Sequence, residues 1–240
     1  VIARLLPEPV ACWESFQDHP HFVPHRAESA TLRSSAPARR GEFGNGRYCA
    51  HRALERLGAP AEAVPAGPRG APRWPPAVVG SITHCRGYTA AAVARARDIT
   101  AIGIDAEPHL PLPEDVLEFI ALPEERARVT DLLARRPGVR WDRLLFSAKE
   151  AVYKAWFPAT GRFLGFRQAR ISIDPAAGAF RARIPDPALP GRPQGPYLPA
   201  ELAGRWRVGH GVVVTAVAVP APVPAPVPAG PPVPEGVRET

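Results

Sequence analysis

Five side chains in this sequence have the types and spacing to manage a phosphate. "AIGIDAEPHL", residues 101–110, sets Asp105 and Glu107 at the end of an apolar run, and "FSAKEAVYKAWF", residues 146–157, carries Lys149, Glu150 and Lys154. Alternate residues of a strand share a face, so Asp105 and Glu107 point the same way, about 6.5 to 7 Å apart along the chain. Two carboxylates at that spacing can converge on one cation. Pro108 ends the pairing and leaves both at the strand's mouth. Hard oxygen donors with no Cys or His pair beside them favour Mg²⁺ over zinc. Taken alone, D-x-E far more often marks an exposed strand end.

Glu150 and Lys154 stand four apart on a helical pattern, where a plain surface ion pair is worth about 0.3 to 0.5 kcal/mol. Phe146, Tyr153 and Phe157 project beside Glu150, however, and a solvated face seldom presents three aromatic rings. That arc is expected to line a cleft, with Lys149 at its other margin. Lys149 and Lys154 are the only lysines in the chain. A third carboxylate and two ammonium groups in a cleft complete a metal and phosphate site.

The elements that must position these groups are legible from periodicity. Residues 140–157 form a helix whose core face is Trp141, Leu144, Leu145, Ala148, Val152, Ala155 and Trp156. "AVVGSIT", "YTAAAVAR" and "ITAIGIDAE" are three strands ahead of it. They follow a helix with the stripe Tyr48, Ala50, Ala53, Leu54 and Leu57, stopped at Gly58, and a loop over 59–76. A helical stretch over 113–135 breaks at Pro123; "FLGFRQARISID", "AFRARI" and "GRWRVGHGVVVTAVAV" are three later strands. This order predicts an α/β (α+β) fold of two similar αβ lobes, residues 1–108 and 109–219, rather than a doubly wound sheet. Residues 220–240 alternate proline with small residues and predict a solvated polyproline II tail.

The 240 residues carry a formal charge of +7, which favours anionic partners through long-range steering. Three cysteines, Cys12, Cys49 and Cys85, include no C-x-x-C pair, which suits a reducing cytoplasm. No basic segment leads into an apolar run and cleavage site, so no signal peptide is expected. The uncharged stretch 211–234 is too rich in proline to be a membrane helix.

The segments "VVGSITHC", "IGIDAEP" and "FSAKEAVYKAWF", in this order, resemble the 4′-phosphopantetheinyl transferases of the surfactin/enterobactin type, and among them the actinobacterial-style enzymes. The likeness covers roughly residues 30–219. It implies two lobes related by a pseudo-twofold axis, a monomer, and activity of the holo-[acyl-carrier-protein] synthase type on acyl, polyketide and peptidyl carrier proteins. Coenzyme A is the implied co-substrate and Mg²⁺ the implied cofactor. By matching position, Asp105, Glu107 and Glu150 are the implied metal ligands, Glu150 the base, and Lys154 the group that steadies phosphate charge, with Lys149 adding a phosphate contact. His84 and the Ser81 backbone match diphosphate contacts; Arg39, Arg47 and Arg69 match contacts to the nucleotide phosphates. Arg40 and Arg73 are alternatives to Arg39 and Arg69. A metal-dependent nuclease and a non-enzymatic nucleic-acid-binding module are the competing readings; the resemblance implies neither a nucleic-acid nor a membrane partner.

Overall fold

Runs of small apolar residues build the first sheet. In the computed structural model, which describes residues 1–29, 36–60, 62–184 and 198–222, β1 (Ala11–Ser15), β2 (Val78–Cys85) and β3 (Tyr88–Arg95) form an antiparallel sheet of order β1-β3-β2. The strand β3 is buried on both faces, which is why it reads "AAAVA" instead of alternating. Ala91 and Val93 pack against Cys49, Ala50, Ala53 and Leu54 of a helix; Ala90, Ala92 and Ala94 face the second sheet. That helix is α2 (Pro37–Arg56), preceded by the single turn α1 (Arg26–Ser29).

The second sheet is antiparallel and holds β4 (Ile99–Pro108), β5 (Arg170–Asp174), β6 (Ala179–Arg183), β7 (Glu201–Gly209) and β8 (Val212–Pro220), in the order β4-β8-β7-β6-β5. One of its faces is covered by α5 (Trp141–Thr160), with α3 (Glu114–Ile120) and α4 (Pro123–Arg135) beside it. The opposite face of β4 and β8, with Ile102, Ile104, Val214 and Ala216, packs on the first sheet. The layers therefore run helix, sheet, sheet, helix, an α/β architecture with antiparallel sheets.

All seven core positions expected for the long helix are buried. Gly161 stops it in the left-handed region at φ 67°, its N–H donating to the Phe157 carbonyl. The helix lies so close to β4 that a Cβ built on Gly103 falls 1.9 Å from the Ala151 carbonyl oxygen. Pro123 opens α4, and Glu125 reaches back to the Leu122 N–H at 2.8 Å.

Two differences from the sequence reading have clear causes. "GRWRVGHGVVVTAVAV" is not one strand: β7 and β8 are joined by a two-residue turn in which His210 and Gly211 both take positive φ, 53° and 75°. That is the hairpin geometry matched to strand twist, with His210 at a position usually held by Asn or Asp. β1 is also unannounced, a five-residue edge strand in a stretch without periodicity.

Sheet membership changes in the turn at 96–98, ahead of the lobe boundary read after Pro108, because β4 pairs along its whole length with β8. Its free edge meets the free edge of β2 through side chains. The Ile104 N–H donates to Ser81 Oγ at 3.1 Å and the Ala106 N–H to Thr83 Oγ1 at 2.9 Å. Two hydroxyls thus stand in for strand carbonyls and splice the sheets. No helix among the described residues is long and apolar enough to cross a membrane. The proline-rich link between β6 and β7, residues 185–197, and the tail from residue 223 lie outside the described residues.

Candidate active site

The carboxylates at the mouth of β4 share the face that looks toward α5. Asp105 is buried, and its Oδ1 accepts from Lys154 Nζ at 2.7 Å and from Thr83 Oγ1 at 3.4 Å. Its other oxygen, Oδ2, is buried and has no hydrogen-bond partner. Lys154 therefore does not pair with Glu150 along the helix; it crosses to the strand. The Glu150 carboxylate makes no hydrogen bond among the described residues, and burial together with the neighbouring Asp105 pushes it above the ordinary value despite Lys154.

Glu107 accepts from Arg143 Nη1 at 3.1 Å. Burial and the Asp105 charge push it up to about 7 against the pull of Arg143. The same guanidinium donates to the Leu110 and Pro111 carbonyls, which fixes the turn where the chain leaves β4. Among the described residues no three carboxylate, histidine or cysteine side chains close on one point as a metal centre. The donor set still suits a hard divalent cation: Asp105 has an orphaned buried oxygen, and its charge helps to raise the carboxyl of Glu150.

A cavity of about 220 Å³ opens beside these groups, lined by Arg69, Gly70, Ser81, Glu150, Tyr153 and Lys154. Arg69 rather than Arg73 reaches it. Its backbone is left-handed at φ 54° and its guanidinium sits 5.1 Å from the centre of the Phe163 ring, whereas the Arg73 side chain packs on Gly67. Ser81 lines the cavity while its hydroxyl serves Ile104. A second, apolar cavity of about 160 Å³ adjoins Glu150 under Tyr153, Phe163, Leu164 and Phe166.

At the end of β2, His84 Nε2 lies 3.3 Å from Arg39 Nη1 and 3.3 Å from Glu42 Oε2. Arg47 is buried one layer deeper with its guanidinium 4.1 Å from the Phe43 ring centre. Burial lowers it to about 10, and its Nε has no partner. A buried guanidinium with an unspent donor is suited to an incoming anion.

The phosphate contact expected of Lys149 is not what the structure shows. Lys149 is 3% exposed, and its ammonium donates to Glu125 at 3.0 Å and to the carbonyls of Phe166 and Ala169, both at 2.8 Å. All three donors are spent inside the protein. Sequence reasoning also passed over Thr83, Arg143, Glu42 and Glu125. Thr83 had a signal, since it shares a strand face with Ser81; Arg143, Glu42 and Glu125 become visible only when distant elements meet.

Residues 27–94 match the family model of the 4′-phosphopantetheinyl transferase N-terminal domain, and residues 101–207 match that of the 4′-phosphopantetheinyl transferase superfamily. The 4′-phosphopantetheinyl transferase Svp of Streptomyces mobaraensis is 48% identical over 227 residues, 92% of this chain and 90% of that protein. The chain belongs to the 4′-phosphopantetheinyl transferase superfamily. The 4′-phosphopantetheinyl transferase PptT of Mycobacterium tuberculosis is 42% identical over 91% of this chain and 98% of its own length. Enterobactin synthase component D of Salmonella typhimurium is 33% identical over 66% of this chain and 64% of its own. The two family matches meet at residues 95–100, the junction between the sheets. These matches favour neither the nuclease nor the nucleic-acid-binding reading.

Proposed function

We propose that this transferase moves the phosphopantetheine arm of coenzyme A onto a serine of acyl, polyketide or peptidyl carrier proteins, releasing 3′,5′-ADP. The observation that carries the reading is the corner formed by Asp105, Glu150 and Lys154: one ammonium neutralises Asp105 Oδ1, while Oδ2 and Glu150 remain available. Asp105 and Glu150 would hold a divalent cation, Mg²⁺ in this reading, with Glu107 beside them on Arg143. When bound, the cation supplies charge neutralisation across a diphosphate.

The chain's own groups divide the remaining work. Lys154 places positive charge at the cavity, where negative charge gathers on the departing phosphate. Arg69 flanks the same cavity, and Arg39, Arg47 and His84 form a second cationic and donor cluster suited to the remaining phosphates. Glu150, raised above the ordinary carboxylate value, suits a base that accepts the serine proton directly or through water. The serine oxygen then bonds to the β-phosphorus, the bond from that phosphorus to the oxygen bridging to 3′,5′-ADP breaks, and its electron pair leaves with the nucleotide. The substrate brings the nucleophile, so the enzyme needs none of its own.

The net charge of +7 suits an acidic carrier surface. Three cysteines without a disulfide suit a reducing cytoplasm. Intact mass of an apo carrier after incubation with the protein, coenzyme A and Mg²⁺ tests the reading: one phosphopantetheine arm is added. Asp105→Ala and Glu150→Ala are expected to stay folded and lower the loading rate by at least about a hundredfold. Loading at the wild-type rate by both variants sinks the assignment.

A further inference from the structure

Lys149 is adjacent to Glu150 in the chain, yet its donors turn inward. It anchors α5 from the inside. Its ammonium is shared by Glu125 of α4 and by two carbonyls, Phe166 and Ala169, of the segment that follows the helix. Glu125 is equally committed: Oε1 accepts from Ile171 N–H at 2.7 Å and Oε2 from Leu122 N–H at 2.8 Å. One ion pair, with both side chains almost wholly buried, therefore ties α4, α5, the 163–169 segment and the start of β5 together. Every acceptor and donor in it has a partner, the condition under which a buried network rigidifies its surroundings.

What this network holds is a wall. Phe163, Leu164 and Phe166 line the apolar cavity that adjoins Glu150. Phe166 stacks on Phe146 of α5 at 5.8 Å between ring centres and meets Phe119 of α3 edge-on, while Phe163 meets Tyr153 edge-on. The backbone carbonyl of Phe166 has Lys149 as its donor, so the ring's position over the cavity depends on that ammonium. Phosphate groups suit the cationic cavity of Arg69 and Lys154; the one cation that lines the apolar cavity, Lys149, has its donors spent on Glu125 and on the Phe166 and Ala169 carbonyls.

We propose that Lys149 is a positioning residue, which sets the apolar wall next to Glu150 through the 163–169 segment and so governs the grip on the non-phosphate part of the donor. This rests on coenzyme A being the donor. The prediction is a split between two ligands that share all three phosphates, coenzyme A and adenosine 3′-phosphate 5′-diphosphate, each measured by calorimetry on the full chain. In Lys149→Met the affinity for adenosine 3′-phosphate 5′-diphosphate is expected to stay within about twofold of wild type, while that for coenzyme A falls about tenfold or more, the scale of losing one supporting residue.

Equal weakening of both ligands would make Lys149 a phosphate contact, and no weakening of either would leave it a purely structural lysine; each result overturns the proposal. If Lys149→Met does not fold, Glu125→Gln keeps the lysine and loosens the same network, and the same split is required of it. Lys149→Arg, which retains the charge in a shape the pocket does not fit, is expected to show the split as well, since charge alone is not what the segment needs. Failure of the wild-type protein to bind either ligand would strike at the donor assignment instead.

Discussion

Lys149 and Lys154 show what a residue's type leaves open. Both are lysines on one helix, five positions apart, and a helical wheel separates them by 140°, enough to send one into the core and the other across to β4. Lys154 stood out in the sequence by the aromatic residues beside Glu150 and by the resemblance, although Glu150 one turn away offered it a plain surface pair. The destination of Lys149 was not legible, because Glu125 and the Phe166 and Ala169 carbonyls come from segments whose approach no local pattern announces. Glu28 shows the same limit on the far side of the molecule. Fully buried, it accepts from the His51 ring and from the amides of Val64 and His25. Burial pushes its carboxyl up, but the hydrogen bonds from His51, Val64 and His25 outweigh that and hold it below the ordinary value. A carboxyl depressed by folding stabilises above its unfolded value, and the gain is lost as pH falls through the folded one. Glu28→Gln places an NH₂ where donors already point, and is expected to cost about 2 kcal/mol at neutral pH. Urea denaturation at pH 7 and again below the unfolded carboxyl value should show the gap to wild type narrowing on acidification.

At the scale of elements, the crossing of α5 over β4 depends on one residue without a side chain. Gly103 lies on the face of β4 that also carries Asp105 and Glu107, and it lets the helix approach until Ala151 and Ala155 touch the strand backbone. Gly103→Ala must push the helix away, at a cost of about 3 kcal/mol, the upper range for an overpacked core. The denaturation midpoint should fall, with carrier loading falling further than stability alone explains, because Glu150 and Lys154 ride on the displaced helix. The helices and most strands could be read from periodicity, since α5 and α2 bury stripes and β4 ends in a pair of like-facing acids. The hairpin of β7 and β8 could not, because His210 occupies a left-handed position where only Asn, Asp or Gly would have advertised a turn. β1 stayed hidden because a short edge strand needs its partner β3 to define it.

At the scale of the whole molecule, the two sheets meet without a backbone ladder between them. Ser81 and Thr83 supply the acceptors for Ile104 and Ala106, so each hydroxyl satisfies an amide that would otherwise be buried and unpaired. Ser81→Ala is expected to lower stability by about 1 to 3 kcal/mol, the cost of one such orphaned amide, read from the melting transition. Ser81→Thr keeps the hydroxyl and should restore most of the loss. The splice also has a use. The ladders are complete within each sheet, and the turn at 96–98 is the covalent bridge where one sheet passes to the other. A polypeptide divided there leaves Arg39, Arg47 and His84 on one fragment and Asp105, Glu107, Glu150 and Lys154 on the other. Neither fragment alone is expected to load a carrier, and mixing them is expected to recover loading to the extent that they find each other, a complementation read from the intact mass of the carrier.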